Sequence, residues 1–187
     1  MKPKTPPKKI PNILYITGMN SSGIKPKILA TMGYNVKTLS TTSNVMTATL
    51  GRFKRYIAAF EKQINGLGQQ FIQENIAKHD REIQGFVPDV VVGTSQGGAV
   101  AMKLGSRYPK AKFVLNAPAW KIFNAIPENL PSDTIVLQGK KDMLVPFQDS
   151  MELKEKYGFN VRIFDDLDHQ IPFPLVKMAI DKQLRSV

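Results

Sequence analysis

Residues 93–98 read GTSQGG and directly follow the apolar run DVVV. A serine with glycine two positions before and two after it matches the G-x-S-x-G nucleophile elbow, here Gly93-Thr94-Ser95-Gln96-Gly97, with Gly98 as a further small residue. In such an elbow the serine stands at the tip of a sharp strand-to-helix turn, and larger residues at the flanking positions would collide. The competing reading is a glycine-rich turn in which Ser95 only caps the helix that follows.

A serine hydroxyl is a poor nucleophile at neutral pH, so a nucleophilic Ser95 requires a base, and the chain has two histidines, His79 and His169. His79 lies in the charged stretch IAKHDRE, where a solvated helix surface is expected. His169 lies in FDDLDHQIPF, just beyond the last strand-like run, where ligand-facing residues gather in an open α/β sheet. His169 is therefore the candidate base. The orienting acid in the chain order Ser…Asp…His is Asp142 of QGKKDMLVP, again at a strand end, although an aspartate there also suits a plain turn. Asp149 is a weaker candidate at the start of the next helix. Asp165, Asp166 and Asp168 are too close to His169 in sequence to reach its outer ring nitrogen well. An oxyanion would be met by two backbone N–H groups, from Gln96 and from Met19 in the loop Gly18-Met19-Asn20-Ser21-Ser22-Gly23. Asn20, Trp120, Val145, Phe147 and Ile171 lie near the same predicted strand ends. They are candidates for a substrate pocket or for ordinary packing.

These residues need a scaffold of strands, and six apolar runs supply one: NILYIT, NVKTLS, DVVVGTS, KFVLNAP, TIVLQGK and NVRIFDD. Several are nearly continuous in aliphatic residues, as in strands buried on both faces, and helix-length segments separate them, so the class is α/β. Met46, Leu50, Phe53, Ile57, Phe60, Ile64, Leu67 and Phe71 recur at alternating spacings of four and three, an apolar seam on a helix within 44–84. The seam reads as a cover for one sheet face, with a small cap over the site or a dimer contact as alternatives. Gly66 and Gly68 are expected to bend or break that helix.

The 187 residues suit one domain over 12–187 behind a flexible basic, proline-rich tail at 1–11. Absence of cysteine excludes disulfides and cysteine nucleophiles in this chain, and two histidines make a histidine metal cluster a poor reading. No metal or organic cofactor is expected. The formal charge of +11, four units of it on Lys2, Lys4, Lys8 and Lys9, would attract anions. No nucleic-acid motif accompanies it, so a solvated basic surface is the expected reading. No run reaches transmembrane length and the start lacks a secretory signal's apolar core, which leaves a cytoplasmic protein, monomer or homodimer, with no membrane partner as the expectation.

Taken together, YITGMNSSG, VVVGTSQGGAVA, VLNAPAW, VLQGKKDMLVP and FDDLDHQIPF resemble the α/β-hydrolase superfamily, in particular its small esterase-like members. The resemblance spans residues 12 to about 180. It implies an α/β-hydrolase fold with a mostly parallel sheet of about six strands, helices on both faces, and Ser95, Asp142 and His169 as a triad. It also supports Met19 and Gln96 as oxyanion donors. The implied activity is a serine hydrolase that cleaves a small carboxylic ester or thioester through an acyl-enzyme. Many relatives carry His-Gly where this chain has Thr17-Gly18. Only 13 residues, 121–133, follow Trp120 before TIVLQGK, so no large lid fits where relatives often carry one. The alternative is a non-catalytic binding or scaffold protein of the same fold, using the basic surface and the helical seam.

Overall fold

The computed structural model describes residues 9–18, 23–42 and 57–186, with backbone alone for 57–65. All six predicted strands are present: β1 (Asn12–Thr17), β2 (Asn35–Ser40), β3 (Val90–Thr94), β4 (Lys112–Asn116), β5 (Ile135–Gly139) and β6 (Asn160–Phe164). They form one sheet in the order β2-β1-β3-β4-β5-β6, and every neighbouring pair is parallel. The helices are α1 (Ile24–Thr31), α2 (Ile57–Glu82), α3 (Gln96–Met102), α4 (Phe147–Tyr157) and α5 (Phe173–Leu184).

Alternation along the central strands divides the apolar residues between the two faces of the sheet. Leu14, Ile16, Val91, Phe113, Leu115 and Val136 join residues of α2, α3 and α4 in one core layer. Ile13, Tyr15, Val90, Val92, Val114, Ile135 and Leu137 join residues of α1 and α5 in the other. Both faces are thus covered by helices, which is why these strands read as nearly continuous apolar runs. The edge strand β2 differs: only Leu39 of its six residues is buried, and Lys37 and Thr38 face solvent.

The chain leaves β1 toward β2 on one side and returns to β3 on the other. This order reversal falls between β1 and β3, and the carboxyl ends of strands at such a point are the usual ligand position in an open parallel sheet.

Two expectations about α2 need correction. The helix runs unbroken from Ile57 to Glu82, with Gly66 and Gly68 inside it. Gly68 serves contact: a Cβ there would stand 3.0 Å from Phe123 Cα and 3.1 Å from its carbonyl oxygen, so the missing side chain brings α2 close to the 119–125 turn. His79 is not on a solvated surface. It is buried, with Nε2 2.6 Å from the Tyr108 hydroxyl and Nδ1 2.9 Å from Asp80 Oδ1, while Arg107 makes two 3.0 Å bonds to the same carboxylate. This cluster stands where α2 leads into the start of β3, at the end of the sheet remote from Ser95. The charged sequence around His79 concealed a buried stripe that includes Phe71, Asn75, His79 and Ile83.

Leu67 and Phe71, the last members of the seam, pack on the core as a sheet cover would. Met46, Leu50 and Phe53, the cap or dimer alternatives for this stretch, and residues 1–8 of the tail lie outside the described residues, as do the side chains of Ile57, Phe60 and Ile64. Among the described residues there is no lid, and no helix is long and apolar enough to cross a membrane.

Asn75 holds the exit of β2 to α2. Its Oδ1 accepts from Thr42 N at 3.0 Å, and its Nδ2 donates to Thr42 O at 3.1 Å and to Phe71 O at 2.9 Å. The residue is fully buried, so removing the amide leaves these backbone groups without their partner. Asn75→Ala is expected to destabilise the fold by about 1–3 kcal/mol in denaturant unfolding, without changing the cooperativity of the transition.

Candidate functional site

Ser95 occupies the turn between β3 and α3 with φ 55° and ψ −118°, a conformation that side-chain-bearing residues seldom adopt. Its backbone is clamped on both sides. Its N–H donates to Asn116 O at 2.8 Å, at the end of β4, and its carbonyl oxygen accepts from Gly98 N, Ala99 N and Ala119 N at 2.9–3.2 Å. The surrounding glycines have specific collision partners. A Cβ on Gly93 would lie 2.7 Å from both Ala101 Cβ and Gly97 O, one on Gly97 would land on the Ile16 carbonyl, and one on Gly98 would lie 2.9 Å from Pro118 Cα. The glycine fence thus lets β1, α3 and the exit of β4 close around one strained residue.

The loop after β1 begins against the same residue. A Cβ on Gly18 would sit 3.1 Å from Ser95 Cβ and 3.7 Å from Gln96 N. Gln96, the first residue of α3, directly follows Ser95. Met19 and Asn20, the other predicted participants of that loop, lie outside the described residues.

Asp142 stands in the turn after β5, its side chain fully shielded from solvent, and His169 lies beyond β6 with 14% of its side chain exposed. The structure joins them: His169 Nδ1 is 2.7 Å from Asp142 Oδ2. Leu144 N and Val145 N donate to Oδ1 at 2.8 and 2.9 Å, and Gln138 Nε2 donates to Oδ2 at 2.9 Å. Burial alone would raise the pKa of Asp142. The bonds from His169, Val145 and Leu144 outweigh it and hold the carboxyl below its ordinary value of 3.8. An ionised Oδ2 takes the Nδ1–H of a neutral imidazole, which leaves Nε2 with its lone pair.

The other aspartates are engaged elsewhere. Asp165 and Asp166 meet Lys140 and Lys141 at 2.9 Å, and Asp168 Oδ1 accepts from Gln170 N. Asp149 lies 3.4 Å from Lys121, with its carboxyl pushed up by burial. Ser95 follows β3 and Asp142 follows β5, the two strands that flank β4, and among the described residues no side-chain bond joins Ser95 to His169 or Asp142.

Among the described residues, the predicted pocket positions fall in different layers. Trp120 and Val145 are buried in the core layer of α2, α3 and α4, with the Trp120 Nε1–H donating to Asp149 O at 3.1 Å, whereas Ile171 is buried in the opposite layer with α1 and α5. Phe147 is half-buried at the start of α4. Packing therefore accounts for Trp120, Val145 and Ile171. Among the described residues, no three His, Asp or Glu side chains gather as metal ligands.

Sequence reasoning missed Gln138, Ser150 and Gly139. Gln138 and Ser150 are fully buried, and the Ser150 hydroxyl donates to Gln138 Oε1 at 3.0 Å. Gly139 lies beneath the chain leading to His169, since a Cβ there would strike the carbonyls of Leu167 and Asp168. The available signal was a polar residue and a glycine closing the otherwise apolar strand IVLQG.

The fold has counterparts in solved structures. α/β-Hydrolase domain-containing protein 10 from mouse superposes with a TM-score of 0.63 at 15% identity, covering 95% of this chain and 91% of that one. Est1E from Butyrivibrio proteoclasticus gives 0.60 at 14% identity, over 98% and 92%. A protein from Xanthomonas campestris described as an α/β serine hydrolase without lid gives 0.58 at 15%, over 97% and 85%. The chain has the α/β-hydrolase fold. No protein-family model matches it, and no curated protein matches its sequence significantly. In this α/β-hydrolase fold Ser95 and Asp142 stand just after the carboxyl ends of β3 and β5.

A carboxyl held below its unfolded value stabilises the fold above about pH 3.8, and that contribution is lost as pH falls through the lowered folded value. The stability difference between the native protein and Asp142→Asn is therefore expected to be constant from pH 7 to 5. It should shrink below pH 4, as read by urea unfolding at each pH.

Proposed function

We propose that the protein is a serine hydrolase that cleaves small carboxylic esters or thioesters through an acyl-enzyme. The observation that carries this reading is the 2.7 Å bond between His169 Nδ1 and Asp142, supported by the strained turn at Ser95 at the same, carboxyl end of the sheet. A carboxylate on Nδ1 fixes the tautomer whose Nε2 can accept a proton, and the elbow lifts Ser95 Oγ out of the backbone.

In the proposed cycle, Ser95 Oγ attacks the acyl carbonyl while His169 Nε2 takes its proton. The oxyanion is met by the N–H groups of Gln96 and Met19. Gly18, held against Ser95, supports this role for the residue that follows it. Such a donor contributes roughly 3–4 kcal/mol to the transition state. The tetrahedral intermediate collapses as His169 returns the proton to the leaving alcohol or thiol. Water, deprotonated by the same Nε2, then releases the acid and restores Ser95. Each of these steps uses only groups of the chain, substrate and water.

Hydrolysis of p-nitrophenyl acetate and of a short-chain acyl thioester tests the reading. Ser95→Ala and His169→Ala are expected to lose at least about 1000-fold in kcat/KM, and Asp142→Asn about 100- to 10 000-fold. Activity that persists in Ser95→Ala would contradict it.

A further inference from the structure

The carboxylate of Asp142 receives four hydrogen bonds, two on each oxygen, which fills the acceptor capacity of an ionised carboxyl. Three of them have evident purposes. The turn after β5 supplies the two backbone donors, and His169 is the group to be oriented. The fourth donor, Gln138 Nε2, comes from inside the strand, on the sheet face that also carries Val136.

Gln138 is fully buried, and both ends of its amide are engaged. Nε2 also reaches Val145 O at 3.1 Å and Gly139 O at 3.2 Å, while Oε1 accepts from Ser150 Oγ at 3.0 Å. The acceptors around Nε2 select the amide orientation. With the amide reversed, Oε1 would oppose the Asp142 carboxylate and the carbonyls of Val145 and Gly139. The Ser150 hydroxyl then donates to the Oε1 that remains. A buried amide is expensive to place in a strand unless every bond is made, and an aliphatic residue would suit this core position better. The bonds it makes lead from α4 through Ser150 and Gln138 to Asp142 and on to His169.

We propose that Gln138, held by Ser150, is a positioning residue for the reaction: it fixes the plane of the Asp142 carboxylate and shares Oδ2 with His169, so that the aspartate orients the imidazole without taking its proton. The proposal rests on the reading of Ser95, His169 and Asp142 as the reacting set. A donor on Oδ2 favours the ionised carboxylate, so its removal makes Asp142 more basic. Among the described residues, His169 is the titratable group whose charge lowers the pKa of Asp142. The nearby Lys140 and Lys141 turn to Asp165 and Asp166, and Asp168 accepts from Gln170 N.

The test compares native protein, Gln138→Met and Ser150→Ala, each checked for folding by circular dichroism. The readouts are p-nitrophenyl acetate kinetics and the titration of the Asp142 carboxyl by 13C NMR. Loss of a hydrogen bond to a charged buried group predicts a kcat about 10- to 100-fold lower in Gln138→Met, with KM within about twofold. The acid limb of kcat/KM and the NMR midpoint of Asp142 should both move to higher pH. Ser150→Ala should shift both in the same direction by less, and it decides the matter if Gln138→Met does not fold. Native kinetics in a folded Gln138→Met, or reduced activity with an unmoved Asp142 midpoint, would overturn the proposal. If the native protein hydrolyses no ester or thioester, the reading of the reacting set fails instead. The NMR midpoint then decides the Gln138–Asp142 link alone, and an unmoved one removes it too.

Discussion

The backbone at Ser95 is where the rest of the structure converges. A residue with a Cβ held at φ 55° and ψ −118° is unfavourable by roughly 1–3 kcal/mol and persists only where its surroundings over-determine it. Here they do. The N–H of Ser95 is fixed to the end of β4, its carbonyl oxygen to the start of α3 and to Ala119, and the glycines at 93, 97 and 98 allow neighbouring backbone and side chains to approach. The strand order places β1 and β3 side by side, so the loop that begins at Gly18 meets the same turn. Fold and site are therefore consequences of one another. The sheet builds the strain, and the strain presents the hydroxyl.

The second half of the site is organised electrostatically. Asp142 is out of water, yet it remains ionised because four donors surround it. Those donors come from the turn after β5, from the strand itself and from the loop beyond β6, so three neighbouring segments agree on one carboxylate position. Gly139 lets the chain before His169 lie directly on the strand end, which brings the ring to the carboxylate without a long excursion. A short loop can hold the histidine because the strand beneath it lacks a side chain at that point.

Much of this was legible from the residues. Six apolar runs bounded by proline, glycine or aspartate became six strands. The central ones, β1, β3, β4 and β5, are buried on both faces and leave a nearly continuous aliphatic signature, which the edge strands β2 and β6 lack. Asp142 and His169 were legible from their positions after two of those strands, and the structure brings them into contact. What was hidden depends on tertiary context. His79 looked solvated because its sequence neighbours are charged, but helical geometry turns those neighbours outward and leaves His79 facing Tyr108. Gly68 read as a helix breaker because its contact with Phe123, more than fifty residues away, is invisible to local propensity. Trp120, Val145 and Ile171 were near the predicted strand ends, and which of the two core layers each would join was not legible from sequence. Gln138 carried a signal, a polar residue in an apolar strand, that acquires meaning only once Asp142 and Ser150 are seen beside it.

The central claim is that this strained turn presents an activated nucleophile. Its most direct test is treatment of the folded protein with a fluorophosphonate probe, followed by mass-spectrometric mapping of the modified peptide. The account predicts one adduct, on Ser95, lost in His169→Ala while that variant stays folded. A folded native protein that takes no adduct, or takes it on another residue, would contradict it.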